Sequence, residues 1–396
     1  MMTVLSKRVS EIAPSATLAI DTRVKELIQN GEDIINLSVG EPDTDTPMKA
    51  SYMAIEGISK GFTKYTNSSG IIELRKRLSQ KFKEDNNLDY DPDQIIVSVG
   101  GKHSLYNIFM TLCNPGDEVI LPAPFWVSYS EQIKLADAVP VIISTDESTD
   151  FKVTPAVLES YITNKTKLLV LNSPSNPTGT AYTKEEIVAL AGVLEKHDNV
   201  YVISDEIYEK LIYDGEHYSI ANVSERMKER TLIVNGFSKT FGMTGWRLGY
   251  TAGAKEIIKG IANFQSHVTS NVTSVAQLAA IGALNDYDHT QKEMFRQRLE
   301  YVYGRVSQMP YLRCVKPQGA FYVFPNVEQT FGRSYKGTKI ESSEDFCRLL
   351  LDHHKVGIVS GVAFGSPNNV RISYALNLTR LEEAMNRLDA FLAELE

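Results

Sequence analysis

The chain has 396 residues, 43% of them apolar and 23% charged, with a formal net charge of −8. That length exceeds what one hydrophobic core usually serves, so two domains are expected. The acidic balance and the lack of a long basic block argue against nucleic acid as a partner. Three cysteines, Cys113, Cys314 and Cys347, stand far apart without CxxC spacing, which supports neither a disulfide scaffold nor a cysteine zinc site. The first ten residues lack the apolar core of a signal peptide, and no stretch approaches a membrane span. A cytoplasmic protein that does not enter membranes is therefore expected.

In chain order, a polar-to-mixed arm ends in Ala13-Pro-Ser15-Ala-Thr17, and a helix is expected over 17–30, stopping at Asn30-Gly31. Ile34-Ile-Asn-Leu37 reads as a short strand. It runs into the polar loop Ser38-Val-Gly40-Glu-Pro42-Asp, where Gly40 allows a ligand close to the backbone and a domain-crossing connector explains the loop equally well. Tyr65 lies in a second polar loop, Thr63-Lys-Tyr65-Thr-Asn-Ser-Ser-Gly70. Gln94-Ile-Ile-Val-Ser-Val-Gly100-Gly101-Lys102-His103 reads as strand, glycine turn and helix. Such a helix start offers free N–H groups to an anion, although an ordinary βα turn needs the same residues.

Further strands are expected at Glu118–Leu121, Val139–Ile143 and Lys167–Leu171. The first leads to Pro122-Ala-Pro-Phe-Trp126-Val-Ser-Tyr129, where Trp126 either stacks on a flat ligand or fills a strand end. The third leads to Asn172-Ser-Pro-Ser-Asn176-Pro-Thr-Gly179, which holds Asn176 between prolines. Thr183 and Glu186 form a capping-box pattern ahead of a helix over 184–197.

Two strands then end abruptly in reactive groups. Tyr201-Val-Ile-Ser-Asp205-Glu-Ile-Tyr208 delivers an acid and a phenol. Thr231-Leu-Ile-Val-Asn-Gly-Phe-Ser238-Lys239 delivers a lysine, with Arg247 following in Met243-Thr-Gly-Trp-Arg247. Buried parallel strands present their carboxyl ends where ligands of open α/β sheets bind. A long helix over about 287–309 leads to the strands Ala320–Phe324, Val356–Val359 and Val370–Tyr374 and to helices over 343–353 and 379–394. The expected fold is thus an α/β protein: a large domain with a mostly parallel seven-stranded sheet flanked by helices, plus a smaller α+β domain. The boundaries are an arm with part of the small domain over 1–47, the large domain over 48–285 and the C-terminal small domain over 286–396.

The chemistry of these groups suits an organic cofactor with a ring nitrogen, an aldehyde and a phosphate. A lysine desolvated near a cation has a lowered pKa and attacks aldehydes. Asp205 suits a protonated ring nitrogen, Tyr208 and Asn176 a ring oxygen, and Ser238, Arg247 and the Gly100-Gly101 turn a phosphate. The seven histidines show no metal-ligand spacing beyond the adjacent pair His353 and His354, no HExxH occurs, and Gly236-Phe-Ser238-Lys-Thr240 lacks the second glycine of a GxSxG elbow.

Taken together, these motifs resemble the fold-type I pyridoxal-phosphate enzymes, specifically class I aminotransferases of the bacterial aspartate aminotransferase type. The stretches that carry the resemblance are Pro14-Ser-Ala-Thr17, Val39-Gly-Glu-Pro-Asp43, Lys64-Tyr65-Thr, Gly100-Gly-Lys102, Trp126-Val-Ser-Tyr, Asn172–Gly179, Ser204–Tyr208, Ser238-Lys239, Met243–Arg247 and Arg371-Ile-Ser-Tyr. The resemblance implies a pyridoxal 5′-phosphate cofactor bound as a Schiff base to Lys239, which then shuttles a proton. It further implies that Asp205 pairs with the ring nitrogen, that Tyr208 and Asn176 contact the ring oxygen, and that Trp126 stacks. Ser238, Arg247, Gly100, Gly101 and the backbone of Lys102 lie near the phosphate, joined by Tyr65 from the second subunit of a homodimer with shared active sites. Arg371 binds the substrate α-carboxylate, with Gly40, Trp126 and Asn176 nearby. Ser15, Thr17 and Lys102 stand where an acidic side chain is read, so aspartate is the expected donor and 2-oxoglutarate the expected acceptor in a two-step exchange. Ala13 occupies a position where several prephenate-accepting relatives carry lysine, which argues against prephenate. Alternatives within the fold are broader or aromatic specificity, or a β-lyase. A ligand-sensing regulator would need a DNA-binding domain for which this acidic chain has no room.

Overall fold

In the computed structural model of the protein, residues 4–396 are described, apart from the side chains of residues 16 and 17. The strands that matter here are β1 (Ile35–Asn36), β2 (Ile95–Ser98), β3 (Glu118–Ala123), β4 (Val139–Ser144), β5 (Thr166–Asn172), β6 (Tyr201–Asp205), β7 (Thr231–Gly236), β8 (Gly249–Ala252), β9 (Tyr322–Val323), β10 (Val356–Gly357), β11 (Val359–Ser360) and β12 (Val370–Ser373). Seven of them form one sheet in the order β2-β8-β7-β6-β5-β3-β4. The pairs β3–β4, β3–β5, β5–β6 and β6–β7 are parallel, and β8 runs antiparallel to both β7 and β2. The mostly parallel sheet expected from the alternating pattern is present, with one reversed strand.

Alternation along the strands explains why both faces are covered. On β2, Ile95 and Val97 pack with Leu74, Leu78 and Phe82, whereas Ile96 faces Leu105, Ile108 and Phe109 on the other side. On β6, Val202 joins Leu190 and Leu194 while Ile203 joins the opposite layer. A strand buried on both faces has no use for polar residues until it ends. That is why the polar run after Ile203 marks the sheet edge.

A second apolar core gathers Phe295, Leu299 and Val302 of the helix Thr290–Val306, Phe346 and Leu350 of the helix Ser343–His354, and Leu388 and Phe391 of the final helix Leu378–Ala393. Ile35 and Leu37 join it because β1 pairs in parallel with β10. Several elements are shorter than their sequence patterns, and three of them have a visible cause or consequence. The helix expected over 287–309 begins at Thr290, where Asp288 Oδ1 accepts from the Thr290 N–H at 2.8 Å. The run Ala320–Phe324 keeps only β9, since Ala320 adopts a φ of 57°. The run Val356–Val359 is divided: β10 pairs with β1, while β11 pairs with β12.

Candidate functional site

The carboxyl ends of β5, β6 and β7 and the start of the helix Gly101–Leu112 converge on a cavity of about 300 Å³. Register places Asn172 beside Asp205 as the last residues of β5 and β6, and Asn172 Nδ2 donates to the Asp205 carbonyl at 3.0 Å. β7 ends at Gly236, and the chain turns there to offer Ser238 and Lys239. Of the residues singled out from sequence, Gly40, Gly101, Lys102, Trp126, Asn176, Asp205, Tyr208, Ser238, Lys239, Arg247 and Arg371 all line this cavity.

Lys239 is the focus of its electrostatics. Burial pushes its amine down to about 8, and Arg371, Arg247 and Lys102 add like-charge repulsion. Its Nζ donates to the Gly40 carbonyl. Asp205 shows the opposite effect. Burial raises its carboxyl to about 6, against the opposing hydrogen bonds from Tyr129 Oη, at 2.6 Å from Oδ2, and from the Ile207 N–H. An acid raised and an amine lowered in one cavity is a pattern that recurs at reactive centres.

Arg371 is 3% exposed. Nη1 donates to Asn176 Oδ1 at 2.9 Å and Nη2 to the Ser38 carbonyl at 2.6 Å, while no carboxylate among the described residues is bonded to it. A buried guanidinium held only by neutral acceptors is a ready partner for a carboxylate ligand. Tyr322 and Phe364 lie 4.6 and 5.0 Å from its guanidinium carbon.

The anion end is built from backbone. Gly100 precedes the helix Gly101–Leu112 at φ 82° and, as a glycine, gives the first turn no side-chain cap. A Cβ at Gly100 would meet Arg247 Nη2 at 2.4 Å, so glycine is what lets that guanidinium lie against the turn. Open N–H groups, a helix dipole, Ser238 and Arg247 make a phosphate cradle in chemical terms. Lys102 is exposed in the single chain, but its amine lies 4.9 Å from the Trp126 ring centroid, and partial desolvation and then Arg247 lower its pKa. Trp126 meets Tyr129 edge to face, with centroids 5.4 Å apart.

Other sequence-selected residues fall elsewhere. Tyr65 is 91% exposed. Ser15 is outside the cavity lining, which the arm helix reaches through Leu18 and Asp21. The Thr17 side chain lies outside the described residues. Among the lining residues that the sequence did not mark as functional are Tyr129, the hydrogen-bond partner of Asp205, and Tyr322, whose Oη is 2.9 Å from Tyr208 Oη. Tyr129 stands three positions after Trp126, and that spacing was its only local signal.

Behind β6, Glu206, Glu209 and His217 bring their ligand atoms within 4.8 Å of one another. Their charges are already matched. Ser204 and Ser219 donate to Glu206 at 2.7 and 2.6 Å, His217 Nε2 lies 3.0 Å from Glu206 Oε2, and Lys81 pairs with Glu209. Burial alone would raise Glu209, but Lys81 and His217 overrule it and hold the carboxyl down at about 2. This network anchors the turn that carries Asp205 and Tyr208.

The family model described as aminotransferase class I and II matches residues 32–388. The aspartate aminotransferase of Bacillus subtilis (strain 168) is 48% identical over 391 residues, 98% of each chain. A probable aspartate/prephenate aminotransferase of Rickettsia bellii is 45% identical over 393 residues, also 98% of each. Among solved structures, the aspartate aminotransferase of Rhizobium meliloti matches with a TM-score of 0.96 at 39% identity and 100% coverage of both chains. Enzymes of this family use pyridoxal 5′-phosphate. The cavity suits that group on its own chemistry, having an uncapped helix start beside Arg247, a buried amine of lowered pKa and a buried carboxylate. With its sheet, its cavity and its sequence in agreement from residue 32 to residue 388, the chain belongs to the class I and II aminotransferases.

Proposed function

We propose that the protein moves an amino group between an L-amino acid, aspartate foremost, and a 2-oxo acid such as 2-oxoglutarate. The observation that carries this reading is the juxtaposition of Lys239, Asp205 and Arg371 in one buried cavity. In it, Lys239 would hold the cofactor covalently, Asp205 would pair with the ring nitrogen, and Tyr208 and Asn176 would serve the ring oxygen. Trp126 would stack on the ring, and Gly100, Gly101, the Lys102 backbone, Ser238 and Arg247 would take the phosphate. Bound there, pyridoxal 5′-phosphate supplies an aldehyde for the substrate amine and a ring that accepts the electron pair left when the α-proton departs. Arg371 fixes the substrate α-carboxylate as a bidentate fork, close to Gly40. Lys239 Nζ takes the proton from the substrate Cα and holds it for return. Its amine, lowered to about 8, gives up protons near neutral pH.

Lys102 reads the acidic side chain of the substrate, helped by Ser15 and Thr17 once the arm closes. The names of the relatives support aspartate. Ala13 brings no side-chain charge, which favours aspartate over prephenate. The test mixes the pyridoxal form with single amino acids and follows the loss of its visible band. Lys102→Ala is expected to slow the aspartate half-reaction on the order of tenfold to a hundredfold, the worth of a charge-assisted hydrogen bond, and to slow alanine and phenylalanine far less. Equal losses for all three would overturn the acidic specificity.

The protein acts as a homodimer in which Tyr65 reaches the phosphate in the neighbouring subunit's site. Tyr65 is largely solvent-exposed in the single chain, and the helix Met48–Ser59 exposes Met48, Tyr52, Ile55 and Ile58 along one side. Apolar stripes of this kind mark interfaces. Light scattering is expected to return about twice the chain mass, and a monomer mass would overturn the shared site. The separation of the apolar cluster around the C-terminal helices, which Ile35 and Leu37 join, from the clusters on the two faces of the sheet supports a division into an arm with part of the small domain over 1–47, a large domain over 48–285 and a C-terminal small domain over 286–396. The free cysteines, together with the absence among the described residues of a helix long and apolar enough to cross a membrane, support a place in the cytoplasm.

A further inference from the structure

Tyr322 stands where three parts of the cavity meet. Its Oη is 2.9 Å from Tyr208 Oη, and the Arg371 guanidinium carbon lies 4.6 Å from its ring centroid. A Cβ at Gly40 would come within 2.0 Å of the same oxygen, so the Gly40 loop rests directly on this hydroxyl. Both phenols are buried, with their rings edge to face.

A phenol has one proton to donate. When Tyr208 gives its proton to a ligand oxygen, the bond between the two phenols runs from Tyr322 to Tyr208. A cation over the ring of Tyr322 strengthens its O–H as a donor, and hydrogen bonds in a chain polarise one another. The other titratable groups around the pair are Asp205, bonded to Tyr129, Lys239 across the cavity, and Tyr374. Burial pushes the pKa of both phenols up, so both carry protons at neutral pH.

We propose that Tyr322 is a positioning residue that couples Arg371 to Tyr208, so that a carboxylate arriving at Arg371 weakens what Tyr208 donates to the cofactor's ring oxygen. This rests on the cofactor reading given above. With the guanidinium neutralised, Tyr322 becomes the poorer donor and Tyr208 follows. The ring oxygen grows more basic, and the proton on Lys239 Nζ, joined to the cofactor, is retained to higher pH. Carboxylate binding is thereby linked to the protonation of the lysine nitrogen.

The experiment is a spectrophotometric pH titration of the holoenzyme's visible band, with and without saturating maleate, a dicarboxylate that has no amino group to transfer. Tyr322→Phe is expected to raise the midpoint of the maleate-free enzyme by roughly half to one pH unit, the worth of one hydrogen bond. It is also expected to shrink the maleate-induced shift by about half or more. On a Tyr208→Phe background, Tyr322→Phe is expected to add nothing, because the relay passes through that phenol. A midpoint and a maleate shift unchanged from wild type would overturn the coupling, as would an equal Tyr322→Phe effect on both backgrounds. A wild-type protein that gains no titrating band with pyridoxal phosphate would overturn the cofactor reading itself, and the coupling with it.

Discussion

Lys239→Ala is expected to lose turnover by on the order of 10⁴-fold or more while the protein still folds and still binds pyridoxal phosphate. The amine is the one group in the cavity placed both to bond the cofactor and to move the substrate's α-proton, so a single substitution removes two functions. Cofactor binding survives because the phosphate cradle at Gly100, Ser238 and Arg247 and the carboxylate of Asp205 remain. Folding survives because the side chain leaves a site already crowded with positive charge from Arg371, Arg247 and Lys102. Lys239→Arg separates the possible causes. It keeps the charge, but a guanidinium does not deprotonate in a protein. If Lys239 works as nucleophile and base, arginine is as inactive as alanine; if it works only as a fixed positive charge, arginine retains much of the rate. Borohydride reduction followed by mass spectrometry is expected to trap the cofactor on Lys239 of the wild type and on neither variant. Turnover within tenfold of wild type in Lys239→Ala would remove the basis for the proposed reaction.

The contrast between Lys239 and Tyr322 shows what the amino-acid order made readable. Asp205 and Lys239 each close an apolar, β-branched run, and a buried strand that ends in a charged residue must place that charge at a sheet edge. The order of the residues was enough to infer a shared site. Tyr129 and Tyr322 look locally like ordinary core aromatics. Their importance lies in bonds to Asp205 and Tyr208, across 76 and 114 residues, and no periodicity reports such pairings. Arg371 is an intermediate case. Its strand is legible, but the absence, among the described residues, of a carboxylate partner for its buried guanidinium is a fact of tertiary structure. The direction of β8 was hidden for a related reason: four residues, Gly249–Ala252, carry the same pattern whether they run with or against their neighbours. The proposed reading of the substrate side chain by the arm asks for a change of position. The arm helix enters the cavity through Leu18 and Asp21 rather than Ser15, so any contact from Ser15 to a substrate requires the arm to move.

Asp205→Asn is expected to cut turnover about 10³-fold while leaving the protein no less stable at neutral pH. The amide matches the carboxylate in shape and still accepts from Tyr129, so the packing beneath the cofactor is preserved. In the proposed reaction, what is lost is the negative charge that would keep the ring nitrogen protonated and the ring able to accept electrons. The stability half of the prediction follows from the sign of the pKa shift. Burial lifts the Asp205 carboxyl from 3.8 to about 6 in the folded protein. A carboxyl with a raised folded pKa destabilises the fold in its charged form. The penalty is absent below about pH 4, grows as pH rises toward 6 and is complete above it. Two pKa units correspond to about 3 kcal/mol, so denaturant titrations of the cofactor-free protein at pH 5 and pH 8 are expected to show the variant gaining on the wild type as pH rises. Pyridoxal phosphate reverses the comparison, because the positive ring nitrogen compensates the buried charge in the wild type alone. Equal turnover in the two proteins would contradict the electron-sink role. A wild type that outlasts the variant without cofactor at pH 8 would mean that the buried charge is stabilised by the protein itself rather than held ready for the ring.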